Sequence, residues 1–113
     1  MASPAVEFTT AERNLIRTEF MVRFGSARRL SEGIMVRRWA TGPHKGRVKV
    51  SKAIQSMLDR GLVEIVDDGK VWPMAAFTTL GYEALRRMAD DARFLDPERF
   101  GHVLEELAHL EAA

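Results

Sequence analysis

Residues 48–77 read VKVSKAIQSMLDRGLVEIVDDGKVWPMAAF, and the order of signals in this stretch decides the fold. Ser51 is a good N-cap, and Ile54, Met57 and Leu58 follow it at i, i+3 and i+4. That spacing predicts a helix over Lys52–Arg60, with an earlier start near Val48 left open. Gly61 stands where a left-handed residue closes a helix. Leu62–Val66 then reads as a strand. Asp68-Gly69 is a favoured centre for a two-residue hairpin turn, since both positions need positive φ, and Val71–Phe77 returns as the partner strand. Pro73 carries no amide hydrogen, so the returning strand is expected at a sheet edge. With Ile54 and Leu58 turned inward onto Leu62 and Ile65, the helix points Lys49, Lys52, Gln55, Ser56 and Arg60 to solvent.

Upstream, residues 1–9 read as a flexible tail. Thr9-Thr10-Ala11-Glu12 fits a capping box. Leu15, Ile16, Phe20 and Phe24 recur behind it at helical spacing, which predicts a first helix from Thr10 to Phe24, ended by Gly25. Residues 26–50 allow two readings. Ser26 can cap a helix that turns Leu30, Ile34 and Met35 inward, with Gly33 a weak point; the run from Ile34 to Trp39 equally suits a short strand, being rich in β-branched and aromatic residues. The helix is preferred, and Thr41–Gly46 is a loop by composition. Downstream, Thr78 caps a helix with Leu85, Met88 and Ala92 inward. Asp96-Pro97-Glu98 opens the last helix with a cap, a proline at the first helical position and an acid in the first turn. The expected organisation is one domain over 10–95 and a C-terminal helix over 96–113.

At 113 residues the chain holds one core, and 46% hydrophobic with 29% charged residues is a globular balance. Without cysteine there is no disulfide, thiolate metal site or cysteine nucleophile. The opening Met1–Glu7 has neither a basic nor an apolar region of the kind an export signal needs, and the apolar runs are short, so the cytoplasm is the expected compartment. A net charge of +1 conceals an asymmetry: Arg28–Lys52 holds eight cations against Glu32 alone, whereas Asp90 onward holds seven acids against Arg93 and Arg99. One end therefore suits a polyanion, unless the basic stretch is only a solvated face.

Helix, basic region, helix and tight hairpin follow one another in the order of a winged helix-turn-helix. The stretch Val48–Met88 resembles the corresponding part of MarR-type transcription regulators. The matching residues are Val50-Ser51-Lys52-Ala53-Ile54, Leu58-Asp59-Arg60-Gly61-Leu62-Val63-Glu64 and Phe77-Thr78-Thr79-Leu80-Gly81 with Leu85, roughly a third of the chain. The resemblance implies an α+β, mostly helical fold with a two-stranded wing, and a dimeric regulator of duplex DNA. Lysine, glutamine and serine near a helix N-terminus suit phosphate contact and base reading in a major groove. The expected DNA-binding residues are Lys45, Arg47, Lys49, Ser51, Lys52, Gln55, Ser56 and Lys70. Two features depart from the family. The wing tip Asp67-Asp68-Gly69-Lys70 offers acids where arginines are usual, and the first half of the chain lacks a clear match. A winged-helix adaptor that binds protein is the alternative.

Phe100, Val103, Leu104, Leu107 and Leu110 line one side of the last helix. With Leu15, Phe20 and Phe24 of the first they form the expected homodimer seam, unless the last helix simply folds back over its own domain. His102, Glu106 and His109 lie on neighbouring turns, yet two turns separate the histidines, so a solvated face is expected and no metal. Gly42-Pro43-His44-Lys45-Gly46 lacks the Gly-x-x-x-x-Gly-Lys pattern of a phosphate cradle. Asp67/Asp68 and Asp90/Asp91 are adjacent in sequence and do not converge as an acid–base pair. Trp39 and Trp72 are expected in the core. No enzyme activity and no cofactor are expected.

Overall fold

Thr9 and Glu12 close their capping box: the Glu12 amide donates to the Thr9 hydroxyl, and the Glu12 carboxylate accepts from the Thr9 amide at 2.8 Å. In the computed structural model, which describes residues 6–22, 28–67 and 73–112, this cap opens α1 (Thr10–Phe20). The helix ends four residues short of the expected Phe24. Met21 is already extended, and the Val22 amide donates to the carbonyl of Arg99 in the last helix, which draws the chain aside. Gly25 lies outside the described residues.

Among the described residues of 26–50 the expected helix is not formed, and the strand reading holds instead. A single 3₁₀ turn, Leu30–Glu32, runs into β1 (Ile34–Met35), β2 (Arg37–Arg38) and, after a loop, β3 (Val48–Lys49). Burial alternates with period two: Ile34 and Val36 are buried, Met35 and Arg37 exposed. Gly33 makes the junction possible. Its φ of 75° and ψ of −169° lie in a region that side chains other than hydrogen hardly enter, and a Cβ there would sit 2.6 Å from the Ala75 carbonyl oxygen.

The second half follows the sequence closely. Ser51 caps α2 (Lys52–Asp59) through the Ile54 amide, and Gly61 leaves the helix at φ 73°. β4 (Val63–Val66) and β5 (Met74–Phe77) pair antiparallel, and the Thr78 hydroxyl caps α3 (Thr79–Ala89) by accepting the Gly81 amide. Ala92 is exposed beyond the end of α3 rather than inward. α4 (Pro97–Ala112) starts where the Asp96 carboxylate accepts the Arg99 amide, and bends at Phe100 (φ −127°, ψ 21°).

The sheet order is β1-β5-β4, so the strand after Pro73 is central rather than at an edge. The proline is tolerated because it precedes the first paired residue, where no ladder amide is required, and its carbonyl accepts the Val36 amide at 2.9 Å. Ile34, Ala75 and Ile65 form one cross-strand row on the core side; Met35, Met74 and Val66 form the next, on the outer side. Ile16 and Phe20 of α1, Met57 of α2, Leu85 of α3 and Phe100 and Val103 of α4 are all fully buried in one cluster. The fold is α+β with helix outweighing strand. Among the described residues no helix is long and apolar enough to cross a membrane.

Candidate nucleic-acid interface

Helix α2 presents its two sides as the stripe of Ile54 and Met57 requires: both are buried, while Lys52 and Gln55 are exposed on the other side. The Gln55 amide nitrogen donates to the Asp59 carboxylate at 2.9 Å, which leaves its carbonyl oxygen available. Ser51 is exposed and its hydroxyl accepts the Ile54 amide at 3.2 Å, so it keeps a proton to donate. Ser56 does not belong to this surface. Its hydroxyl donates to the Glu12 carboxylate, because the 3.6-residue repeat rotates it from the Lys52–Gln55 side toward α1.

Arg60 is exposed, as expected, but its guanidinium donates to the same carboxylate at 2.6 Å and to the carbonyl of Glu7. Glu12 is itself fully buried. Burial pushes its carboxyl upward, but the hydrogen bonds from Ser56 and Thr9 and the guanidinium of Arg60 outweigh that and hold it below the ordinary glutamate value. These residues fasten α2 to α1 and are not free to meet a ligand.

Lys45, Arg47 and Lys49 sit on the ribbon formed by β2, β3 and the loop between them, and all three are exposed. The ribbon continues past its two-residue strands: the Trp39 amide donates to the Arg47 carbonyl, and the Gly46 amide returns to the Trp39 carbonyl, each at 2.9 Å. Arg37 lies directly opposite Lys49 in the register. Trp39 is not a core residue but 39% exposed, with the Lys49 ammonium 4.7 Å from the centre of its ring. Arg38 donates to Asp67 at 2.6 Å, bracing the ribbon against the end of β4 and neutralising one of the two wing acids. Asp68, Lys70 and Trp72 lie outside the described residues.

Six expected contact residues, Lys45, Arg47, Lys49, Ser51, Lys52 and Gln55, are therefore exposed, on the ribbon and on the α2 segment that follows it directly in the chain. Arg37 belongs beside them. Its signal in the sequence was the alternation Ile34-Met35-Val36-Arg37, which puts it on the exposed side of a strand and on no particular side of a helix.

The proposed dimer seam is mostly spent within the chain. Phe20, Phe100, Val103 and Leu107 are buried in its own core because α4 folds back over α1 and α3; Leu15 and Leu104 are half-buried, and Leu110 is exposed. Phe24 is outside the described residues. Of the three α4 residues considered for metal, Glu106 accepts the Leu30 and Ser31 amides at 2.6 and 2.9 Å, which closes the open end of the 3₁₀ turn. Two of the acids near the start of α4 are matched locally, Asp91 by Arg93 and Asp96 by Arg99. Comparison with family models, curated proteins and solved structures finds no match to this chain.

Proposed function

We propose that the chain is a DNA-binding transcription regulator of winged-helix type, with α2 as the helix that enters the major groove. The observation that carries this reading is the solvent-facing edge Lys49–Ser51–Lys52–Gln55, which combines cations with a hydroxyl and an amide at a helix N-terminus. The order of elements supports it: α2 leads directly into a hairpin whose inner strand pairs with β1, as a wing does. The chain differs from a helix-turn-helix ahead of α2, where a β-ribbon takes the place of the supporting helix. Lys45, Arg47 and Lys49 set the position on the phosphates, and Lys52 with Gln55 reads base edges. Two copies on a palindromic site would meet through Leu15, Leu104 and Leu110, because Phe20, Phe100, Val103 and Leu107 are buried within each copy.

Selection of random duplexes by the purified chain tests the reading. The expected result is a recovered motif, bound with an affinity that falls steeply with salt, and a loss on the order of tenfold or more for Lys49→Ala with Lys52→Ala. Recovery of all sequences alike, with no effect of those substitutions, removes it. The outer sheet row favours a second reading as a winged-helix protein adaptor, since Met35 and Val66 are 44% and 43% exposed on either side of Met74. That reading expects weak DNA binding without sequence preference.

A further inference from the structure

We infer that the β2–β3 ribbon is a second nucleic-acid-binding element, an arm that grips the phosphate backbone of duplex DNA beside the groove occupied by α2. The inference rests on the DNA-binding reading above and deepens it: it treats the ribbon that carries Lys45, Arg47 and Lys49, with Arg37 added, as an element whose contribution is separable from that of α2. From Arg37 to Lys49 the chain carries five cations and no carboxylate. Arg38 is held by Asp67, and Glu19 beneath the ribbon is engaged by Arg28 at 3.4 Å. Among the described residues, Arg37, Lys45, Arg47 and Lys49 make no ion pair.

Arg37 and Lys49 face each other across an antiparallel pair, an arrangement that costs stability when both side chains carry the same charge. An anion placed between them turns that repulsion into two attractions. Packing does not explain the ribbon either. Every residue from Trp39 to Arg47 is exposed, and the segment meets the core only at its base, through Val36 and the half-buried Val48. The Trp39 ring holds the Lys49 ammonium near it, so this cation is partly ordered before any ligand arrives. The tip, Ala40-Thr41-Gly42-Pro43-His44, has no Arg, Lys, Asn or Gln for paired hydrogen bonds to a base edge. The arm therefore contributes affinity and placement, and leaves the choice of sequence to α2.

The experiment compares two double variants of the full chain by fluorescence anisotropy over a potassium chloride series. The probes are the best duplex from selection and a scrambled duplex of equal length. Lys45→Ala with Arg47→Ala is expected to weaken both duplexes alike, on the order of tenfold at 0.1 M salt, and to flatten the slope of log affinity against log salt by about 2. Lys52→Ala with Gln55→Ala is expected to erase the difference between the duplexes. If the two duplexes already bind the parent equally while the ribbon variant still loses affinity and slope, the arm stands and the helix reading falls. Parent-like affinity and slope in the ribbon variant overturn the arm. A second readout does not depend on those substitutions: in a Trp72→Phe chain, Trp39 is the one remaining indole, and its emission should change on saturation with duplex. Unchanged emission at saturation also overturns the arm.

Discussion

Glu12 occupies a position that glutamate rarely holds, fully buried with its two oxygens divided among the Thr9 amide, the Ser56 hydroxyl and the Arg60 guanidinium. Its lowered proton affinity in the folded chain makes stability depend on pH in a definite direction. The contribution is complete above the ordinary glutamate value near 4.5 and is lost as pH falls through the lower folded value. Urea unfolding at several pH values should show this loss in the parent, and Glu12→Gln should lack that component. Arg60→Ala takes the cation from the buried carboxylate but leaves its Thr9 and Ser56 hydrogen bonds, and should cost about 1.5–2 kcal/mol at neutral pH, since the guanidinium itself is partly solvated. Half of this cluster was legible in the sequence. Thr-x-x-Glu announces a capping box by local spacing, but Ser56 and Arg60 lie 44 and 48 residues from Glu12, and only the packing of α1 on α2 unites them.

Among the elements, α2, the β4–β5 hairpin and α3 could be read directly because cap, apolar period and stop signal agreed over each. The stretch between α1 and α2 could not. Leu30, Ile34 and Met35 stand at spacings a helix would accept, and what excludes it, Gly33 beneath the Ala75 carbonyl and the pairing of Ile34 with Ala75, comes from a strand 41 residues away. Pro73 misled for a related reason: a proline excludes its own amide from the ladder, not the strand that follows. For α4 the sequence showed an apolar stripe without saying what covers it. Since Phe100 and Val103 are buried beside α1 and α3, a chain ending at Leu95 is expected to unfold, losing its near-ultraviolet circular dichroism, rather than merely to dissociate. Phe100→Ala should cost about 3–5 kcal/mol in chemical denaturation.

Across the whole molecule the charges are segregated, with cations gathered on the ribbon and the start of α2 and acids toward the end of the chain. This division was visible from composition; that the cations form a projecting arm was not, because it required the strand reading of 37–49. Sedimentation equilibrium of the full chain examines the pairing of copies. A lighter species for Leu110→Glu than for the parent supports contact through the outer side of α4, and a parent already monomeric on DNA removes it. The exposed ribbon has one further consequence. Its five cations are all sites for trypsin, set in a segment with almost no tertiary support beyond its base. Brief digestion should nick the chain between residues 37 and 49 before the helices are touched, and a bound polyanion should slow that first cut.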